Sequence, residues 1–375
     1  MKVIVKEIKG RRNLREFVRF PNRMYKGNPY YVPQLESADL DCLDESRNHA
    51  FEVCESAYWM AYDEKGKAIG RIAGIINHRY IEKIGVNQAR FGFLDFIDDE
   101  DVVDALFDAF ESWAMEKGMT EADGPLGFLE FDASGVLVNG FEELPTAYGK
   151  YNYPYYERHI QRRGYHKDVD WIESRVRIPE NVATAYSNAA SVVASRYNLH
   201  VIKPKSRSEI RTKYAEEILS LMNRAYNILH GYSMLTPGQL EDLKNQFLPM
   251  VNPGLLGLVA DENDHIVAFS IFMPSMAHAM QKAGGHLFPL GWYHVLRALR
   301  HNDTMDTLLV GVAEEYKNKG VNAMLFDSVG PTIERMGFKW LETTRELEDN
   351  FSVRNLMNRF DFKETKRARC YIRKF

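Results

Sequence analysis

The residues best suited to chemistry lie in segment 308–325, where an apolar strand leads through a charged turn into a helical pattern. The turn carries Lys317 and Lys319 and ends at Gly320. A helix that begins there aims free backbone N–H groups at a small space, and its dipole adds positive potential. The segment therefore predicts a pyrophosphate-binding site. The alternatives are solvated lysines on an exposed turn and a glycine that only permits a tight turn.

The elements that must position this turn occur in two similar halves of the chain. A polar turn followed by a strand spans residues 63–72 and recurs 198 residues later at 261–270, each time after an apolar strand. A helix-like pattern over 155–165 recurs 197 residues later at 352–362. The repetition predicts a duplicated domain. We expect one domain over 1–179, a linker or connecting helix over 180–198, and a second domain over 199–375.

Each half is predicted to run strand, helices, hairpin, strand, helix, strand, helix, strand. In the first half, residues 100–117 form an amphipathic helix that ends at Gly118, and in the second half residues 322–336 end at Gly337. The apolar face of the first of these helices comprises Val103, Leu106, Phe107, Phe110, Trp113 and Ala114. This order predicts an α/β (α+β) protein with a mixed sheet and helices on both faces.

Composition narrows the classes of function. The chain has 375 residues, a formal net charge of −4 and three cysteines without metal-ligand spacing, so we expect neither a DNA partner nor a metal. No apolar run is long enough to cross a bilayer, and the charged N-terminal residues do not resemble a secretory signal, so the expected location is the cytoplasm. The motifs of P-loop ATPases, dinucleotide oxidoreductases, serine hydrolases and zinc proteases are absent from the sequence.

The turn resembles the acyl-CoA binding turn of the GCN5-related N-acetyltransferase superfamily. That turn reads Arg or Gln, two residues, Gly, one residue, then Gly or Ala, and the matching positions are Lys317, Gly320 and Asn322. A second motif of the superfamily is similar to the segment that begins at Asn350, and its later positions fall on Val353, Leu356, Met357, Asp361 and Phe362. In the order of its predicted elements, most of the chain resembles this superfamily, in a tandem form similar to that of bacterial proteins. In its sequence motifs, the resemblance covers residues 305–375.

The resemblance implies tandem acyl-CoA N-acyltransferase-like domains, each with a mixed, mostly antiparallel sheet flanked by helices. It implies acetyl-CoA or another acyl-CoA as the acyl donor, with no metal. The residues implied to bind the donor are Leu309, Val310, Val312, Lys317, Asn318, Lys319, Gly320, Val321, Asn322, Ala323 and Asn350.

The implied mechanism is direct attack of an amine on the thioester, whose carbonyl is held by a backbone N–H of the strand before the turn. Glu314 and Glu315 are the nearest carboxylates that could accept the amine proton, although acidic residues before a helix also serve as ordinary caps. Met357 stands where many members carry the tyrosine that protonates the leaving thiolate, and Asp361 replaces a glycine. Tyr371 or Cys370 is a possible substitute for that tyrosine.

The first half has no comparable turn, because its matching strand runs into the acidic residues 98–101, which would repel a pyrophosphate. It is expected to help form the acceptor pocket. Its tyrosine-rich segment 148–156 either lines a cleft or packs between the domains, and residues 22–33 are a further substrate-contact candidate. In the second half, the insertion 275–304 is predicted to be a lid, a helical hairpin packed on the core, or a dimer contact.

Three functions are consistent with these observations. The first is an N-acyltransferase that moves an acetyl or longer acyl group from CoA to a small-molecule or peptide amine, and a homodimer is a further expectation. The second is a non-catalytic binding protein that kept the fold, a reading favoured by Asn322, Met357 and Asp361. The third is a transferase that uses aminoacyl-tRNA, as peptidoglycan aminoacyl transferases do on a duplicated fold.

Overall fold

The computed structural model of the protein describes residues 2–146, 149–350 and 361–375. The strands of the first half are β1 (Ile4–Glu7), β2 (Cys54–Tyr62), β3 (Ala68–Asn77), β4 (Gln88–Phe96), β5 (Glu121–Gly124), β6 (Val136–Asn139) and β7 (His166–Arg177). Those of the second half are β8 (His200–Ile202), β9 (Leu256–Ala260), β10 (Ile266–Pro274), β11 (Thr304–Val312), β12 (Trp340–Glu342), β13 (Glu346–Leu347) and β14 (Phe362–Lys374).

Helices lie between these strands in both halves. The first half contains α1 (Arg11–Met24), α2 (Glu36–Cys42), α3 (His78–Ile84), α4 (Glu100–Glu116) and α5 (Tyr155–Arg162). The second half contains α6 (Ser187–Tyr197), α7 (Arg207–Glu209), α8 (Ala215–Tyr226), α9 (Pro237–Phe247), α10 (Ala277–Ala283), α11 (Gly291–Arg300) and α12 (Val321–Met336). A π-helical turn, Ile210–Tyr214, connects α7 to α8. None of the described helices is long and apolar enough to cross a membrane.

One continuous sheet runs through the whole protein. Its strand order is β1-β2-β3-β4-β5-β14-β7-β12-β11-β10-β9-β8, with β6 paired to β14 and β13 paired to β7. In the described part of the chain, the parallel pairs are β4–β5 and β11–β12, and the other neighbours are antiparallel. The predicted mixed, mostly antiparallel sheet flanked by helices is therefore confirmed.

The two halves exchange strands at the centre of this sheet. The C-terminal strand β14 lies between β5 and β7 of the first half, and β7 in turn pairs with β12 of the second half. In the register of β14 with β7, Ala368 faces Trp171 and Phe362 faces Val176. A strand from each half thus completes the sheet of the other, so the predicted boundary at 180–198 divides the sequence but not the sheet.

The predicted amphipathic helices form where their patterns place them. In α4, Val103, Leu106, Phe107 and Phe110 are fully buried against the sheet, and Asp99 caps the helix by accepting from the N–H of Val102. In the second half, α12 ends at Gly337, which has the left-handed φ of 75° typical of a helix C-terminus. These two helices therefore cover equivalent positions in the two halves.

Each parallel pair of strands separates after three residues and forms a fork. β4 and β5 pair only over Gln88–Arg90, and β11 and β12 pair only over Thr304–Asp306. A β-bulge accompanies each fork, since the register shifts between β3 and β4 near Arg71 and between β10 and β11 at Leu308. Hereafter these are the first fork and the second fork.

Candidate functional site

The first fork is filled by the protein's own backbone. The N–H of Leu126 donates to the carbonyl of Phe91 across the gap at 2.8 Å. A Cβ atom added to Gly92 would lie 2.1 Å from the carbonyl oxygen of Leu126, so only glycine allows this approach. The segment after β5 therefore occupies the space that a ligand would need in this half.

The second fork leaves an open strand edge on β11. Val310 is 38% exposed, and its backbone is held by a side chain instead of a neighbouring strand on that edge. The hydroxyl of Tyr226, at the end of α8, accepts from the N–H of Val310 at 3.2 Å and donates to its carbonyl at 3.1 Å. Beyond β12 the chain turns toward β7, where the N–H of Thr343 donates to the carbonyl of Ser174. A ligand that displaces the hydroxyl of Tyr226 therefore has access to the backbone of β11.

The turn predicted to bind a pyrophosphate leads from this edge into α12. Asn318 and Gly320 both have left-handed φ angles, 61° and 79°. Gly320 is the residue that precedes the first turn of α12, and it lies against Val193 of α6, which a Cβ would approach to 3.2 Å. Because the N–H groups of a first helical turn lack partners within the helix, the turn presents donors at the end of the fork.

The two lysines of the turn already have partners within it. The Nζ atom of Lys317 lies 2.5 Å from a carboxylate oxygen of Glu314. The Nζ atom of Lys319 lies 5.0 Å from the ring centre of Tyr197 and 5.4 Å from that of Tyr316. Lys317 is thus paired with a carboxylate, and exposed Lys319 lies over two aromatic rings.

The other residues predicted to bind the donor line the strand, the turn and the first helical turn. Leu309 and Val321 are buried, and Val312 and Ala323 are half-buried. The Oδ1 atom of Asn322 is buried without a hydrogen-bond partner among the described residues. Asn350 closes a turn by donating its N–H to the carbonyl of Leu347.

The residues predicted to carry catalysis do not all lie together. Glu314 is 81% exposed and pairs with Lys317, and Glu315 is exposed as well. Tyr371 is buried in the core of the first half and donates to Glu157 of α5 at 2.8 Å, whereas the turn packs against α6. The thiol of buried Cys370 donates to the carbonyl of Pro125 in the same half. The structure thus places Tyr371 and Cys370 on the strand that completes the first half, away from the turn.

The second motif is described only in part. Met357, Val353 and Leu356 lie outside the described residues. Asp361 is exposed, and its backbone carbonyl accepts from the N–H of Arg177 just before β14 begins. This hydrogen bond fixes the chain where it enters β14.

Two carboxylates face each other where the second fork begins. Asp306 of β11 and Glu342 of β12 are register partners, and both are buried. The Oδ1 atom of Asp306 and the Oε2 atom of Glu342 have no hydrogen-bond partner among the described residues, while Arg175 donates to the other oxygen of Glu342 at 2.5 Å. Burial raises the pKa of Asp306 to about 7 and also raises that of Glu342. Two such groups at one register position favour the neutral form of one of them.

A second polar group, which we call the central cluster, lies between the two halves. It consists of Asp123 at the end of β5, Glu130, Asp168 of β7 and His230. The Nε2 atom of His230 lies 3.1 Å from a carboxylate oxygen of Asp123 and 3.4 Å from one of Asp168. The Oδ1 atom of Asp123 and the Oε2 atom of Glu130 are buried without hydrogen-bond partners in the described part of the chain.

The charges of the central cluster shift the pKa values of its members. Burial disfavours the charged form of His230, but the hydrogen bond with Asp123 and the charges of Asp123, Asp168 and Glu130 outweigh it and raise the histidine pKa. Burial raises the pKa values of Glu130 and Asp168. The cluster is thus a partly buried group of carboxylates, with the charges of Arg345 and Arg90 near Glu130, that contains one imidazole able to take up a proton.

The same three side chains are spaced as cation ligands would be. Ligand atoms of Asp123, Asp168 and His230 lie within 4.8 Å of one another. Carboxylates and imidazole suit several divalent ions, but the imidazole here shares one nitrogen with both carboxylates, as in a hydrogen-bonded ion pair. The imidazole thus pairs with both carboxylates, and the spacing of the three side chains also fits a divalent ion.

The loop that carries His230, residues 227–236, is fixed to the first half by backbone contacts. Arg90 donates to the carbonyl of Gly231 at 2.6 Å, Lys83 to that of Tyr232 at 2.6 Å, and Arg79 to that of Met234 at 2.6 Å. Arg345 holds the opposite side, where it donates to the carbonyls of residues 130, 132 and 134. The histidine is consequently held in place by both halves.

Tyr226 connects the central cluster to the second fork. It lies four residues before His230 and contacts Val310 through its hydroxyl. Burial raises its pKa to about 12, and the charge of Glu130 acts in the same direction. Tyr226 therefore lies close enough to the central cluster for the charge of Glu130 to raise its pKa, and it is also hydrogen-bonded to β11 at the second fork.

The sequence did not indicate the central cluster or the paired carboxylates. His230 and Asp123 are 107 residues apart, and Asp306 and Glu342 lie on different strands, so only the sheet brings them together. The available signal was an acidic residue within a strand, since Asp123 lies in the four-residue β5 and Asp306 in the nine-residue β11.

The tyrosine-rich segment packs within the first half. Tyr25 contacts the rings of Tyr151 and Tyr153, and its hydroxyl donates to the buried carboxylate of Asp95. Arg71 also pairs with Asp95. These rings build a core network within the first half, so the prediction that they pack between the domains is wrong for Tyr151 and Tyr153, and Tyr148 lies outside the described residues.

The insertion 275–304 forms a helical hairpin of α10 and α11 that touches the first half. Gln281 donates to the carbonyls of Pro29 and Tyr31, and the N–H of Glu36 donates to the carbonyl of Gly285. The hairpin thus rests on the early segment that the sequence marked as a substrate-contact candidate.

Comparison with known sequences identifies two curated relatives, and no protein-family model matches the chain. It is 26% identical to Protein YghO of Escherichia coli (strain K12), over 98% of this chain and 94% of that protein. It is 22% identical to the bacterial ceramide synthase of Caulobacter vibrioides (strain NA1000 / CB15N), over 83% of this chain and 81% of that protein.

Solved structures resemble the whole chain. A tandem GNAT protein from the clavulanic acid biosynthesis pathway has a TM-score of 0.57 at 12% identity, with 99% of this chain and 98% of that chain covered. A GCN5-related glucosamine N-acetyltransferase region of a fungal multi-domain GH3 β-N-acetylglucosaminidase has a TM-score of 0.59 at 13% identity, with 99% of this chain but 38% of that chain covered. The protein therefore has the tandem fold of the GCN5-related N-acetyltransferases.

Proposed function

We propose that the protein is an acyl-CoA-dependent N-acyltransferase with one donor site, in the second fork. The observation that supports this most strongly is the open edge of β11, which leads directly to the glycine-initiated first turn of α12. An extended ligand with a thioester at one end and a pyrophosphate at the other matches this path. The filled first fork supports the assignment to a single site.

In this proposal the turn binds the pyrophosphate and β11 binds the thioester. Backbone N–H groups after Gly320 and the charges of Lys317 and Lys319 neutralise the phosphates. The N–H of Val310 donates to the thioester carbonyl and takes up the negative charge that develops on its oxygen. The hydroxyl of Tyr226, which now accepts from this N–H, gives way to the carbonyl.

The central cluster receives the amine in this proposal. Its carboxylates attract the ammonium form, which reaches the cluster through its accessible members, Asp168 and His230, whose side chains are 30% and 21% exposed. His230 is the proton acceptor, because its other side is held by Asp123 and its side chain is 21% exposed. The bound ammonium first gives one proton to neutral His230. The free amine then bonds to the carbonyl carbon, the carbon–sulfur bond breaks, and the second proton of the nitrogen leaves with the thiolate as the CoA thiol.

The paired carboxylates take a different part in this proposal. Asp306 is 1% exposed, so an acceptor amine would not reach it directly. Because burial raises the pKa of Asp306, its neutral form avoids repulsion with Glu342 and lets β11 and β12 pair where the fork begins.

The relative named a bacterial ceramide synthase supports a finer proposal about substrates. A ceramide is the amide of a fatty acid and a long-chain amino alcohol. The name of that relative therefore implies that an acyl group is transferred to the amine of a lipid. We propose a long-chain acyl-CoA as the donor and a long-chain amine as the acceptor.

The experiment is a mass-spectrometric assay for the amide product. Acetyl-CoA and palmitoyl-CoA are each offered with a small amine, a peptide amine and a long-chain amino alcohol. We expect product and free CoA in equal amounts, greatest with palmitoyl-CoA and the amino alcohol. Product with acetyl-CoA and a small amine alone would contradict the lipid proposal but support acyl transfer. Absence of product with every pair, although acyl-CoA binds, would favour a non-catalytic binding protein.

A further inference from the structure

The hairpin of α10 and α11 carries a concentration of exposed apolar side chains. Among the described residues, thirteen large apolar side chains are exposed, and five of them fall between positions 288 and 296. They are Phe288, at 80% exposure, together with Leu290, Trp292, Tyr293 and Leu296. Apolar side chains so close together on a surface usually mark an interaction site.

These side chains point away from the protein because of the helical period. In α11, the exposed positions 292, 293, 296, 297 and 300 follow the spacing of one helix face. The half-buried positions 294, 295, 298 and 299 lie on the other face. The outward face begins with Trp292, Tyr293 and Leu296 and ends with Arg297 and Arg300. A helix that only packed on the core would show a polar face to solvent.

The charge of the hairpin differs from that of the rest of the chain. Residues 275–302 contain Lys282, Arg297 and Arg300 but no aspartate or glutamate, whereas the whole chain has a net charge of −4. The segment also contains four histidines, at positions 278, 286, 294 and 301. An apolar and cationic surface on an otherwise acidic protein is complementary to a layer with an anionic surface and an apolar interior.

We propose that the α10–α11 hairpin docks the protein on the surface of an anionic lipid bilayer. Phe288, Leu290 and Trp292 would enter the boundary between head groups and acyl chains, and Arg297 and Arg300 would contact lipid phosphates. With ten residues, α11 is too short to span a bilayer, so it lies in the plane of the interface. The proposal stands on the surface itself and does not require the proposed acyl transfer.

The hairpin is held firmly enough to orient the protein on the bilayer. Gln281 is hydrogen-bonded to the segment before α2, the carbonyl of Gly285 accepts from the N–H of Glu36 at the start of α2, and Asn302 donates to the carbonyl of Ser275 at the base of the hairpin. The base joins β10 to β11, the strand of the second fork. If the substrates are lipids, this placement brings the edge of the substrate-binding strand next to the membrane that contains them.

The test is co-sedimentation of the full-length protein with vesicles. Vesicles of phosphatidylcholine alone are compared with vesicles that contain phosphatidylglycerol as well, at low and high salt. We expect binding to the anionic vesicles that weakens with salt. The triple variant Phe288→Ser, Leu290→Ser, Trp292→Ser and the double variant Arg297→Gln, Arg300→Gln should each lower the partition constant by about ten-fold or more.

The matched control replaces exposed apolar residues elsewhere. Met115→Ser and Val192→Ser together remove apolar side chains that are 51% and 64% exposed on other helices, and should leave vesicle binding unchanged. Melting curves of all variants should match that of the parent, since every replaced side chain is exposed. Equal vesicle binding by parent and hairpin variants, or no binding by the parent, would overturn the proposal.

A second measurement locates the contact. Vesicles with brominated acyl chains should quench part of the tryptophan fluorescence, and Trp292→Phe should abolish that part while four other tryptophans remain. Sedimentation velocity without vesicles tests the alternative that a second copy of the chain binds this face. A dimer that dissociates on replacing Phe288, Leu290 and Trp292, with no vesicle binding, would overturn the membrane proposal.

Discussion

At the scale of single residues, the proposed site depends on two positions that the sequence revealed to different degrees. Gly320 was predictable, because a glycine between a charged turn and a helical pattern indicates a left-handed φ, and the observed value is 79°. His230 was not predictable. Its neighbours in space, Asp123 and Asp168, come from strands of the other half, and no local pattern marks a histidine that will meet them.

Replacement of His230 by glutamine tests its proposed role as proton acceptor. We expect kcat to fall by about 10²- to 10⁴-fold, with little change in the affinity for acyl-CoA. The parent kcat/KM should rise with pH as the imidazole loses its proton, with an apparent pKa above the ordinary value of about 6.5 because Asp123 and its neighbours raise it. His200→Gln is the matched control. His200 lies on β8, is exposed, and pairs with the carboxylate of Asp264 in a similar way. A His230→Gln enzyme that keeps both its rate and this pH dependence would show that another group accepts the proton.

Replacement of Gly320 by valine tests the turn. A β-branched residue at this φ costs roughly 1–2 kcal/mol, and the side chain would also crowd the first turn of α12 and Val193. Gly118→Val is the control, because Gly118 has nearly the same φ, 78°, with open space around it. Both variants should melt at lower temperature, but only Gly320→Val should lose affinity for acyl-CoA. Equal affinity of the two variants, measured by calorimetry, would remove the turn from the proposed site.

At the scale of elements, amphipathic patterns predicted α4 and α12 well, because each helix buries one continuous apolar face within its own half. The forks could not be predicted in the same way. Where β11 leaves β12 depends on the bulge at Leu308 and on the path of the chain after Glu342, which are set by neighbours far along the chain.

The paired carboxylates at the base of the second fork predict how stability changes with pH. Asp306 has a pKa of about 7 in the folded protein and 3.8 in the unfolded reference, so the folded state binds more protons between these values. Stability from this group is therefore present at acidic pH and is lost as pH rises through about 7.

Asp306→Asn should remove that dependence. At pH 8 the variant should be more stable than the parent by an amount on the order of 2 kcal/mol, and near pH 4 the difference should vanish. Denaturant melts at both pH values measure the effect. Asp303→Asn, at an exposed position three residues earlier, should change neither melt. A destabilised Asp306→Asn variant at pH 8 would mean that the charged carboxylate is the form the fold requires.

At the scale of the whole molecule, the duplication was visible in the sequence, but the strand exchange was not. The repeat at an offset of 198 residues corresponds to the hairpins β2–β3 and β9–β10, whereas the helix predicted over 352–362 lies outside the described residues up to position 360. Neither repeat tells which half each final strand joins. The register of β14 between β5 and β7 is fixed by long-range pairs such as Tyr371 with Gly124 and with Lys167. Contacts of that separation leave no periodic signal in one sequence.

The exchange predicts that the halves do not fold separately. A fragment of residues 1–179 lacks the strand between β5 and β7, and exposes the buried positions that β14 covers, Trp171 among them. We expect no cooperative thermal transition from this fragment alone or from 199–375 alone, and recovery of a transition when both are produced together. Circular dichroism and calorimetry of the fragments measure this. A sharp transition from either fragment alone would show that β14 and β7 are dispensable to it.

The central claim is that the second fork binds an acyl-CoA. Isothermal titration calorimetry of the intact protein with acetyl-CoA and with palmitoyl-CoA tests it most directly, with Gly320→Trp as the variant whose turn is blocked. The account predicts one site per chain with a Kd of roughly micromolar order for at least one donor, weakened at least about ten-fold in the variant. Absence of binding by either donor at about 1 mM, or equal binding by parent and variant, would contradict it.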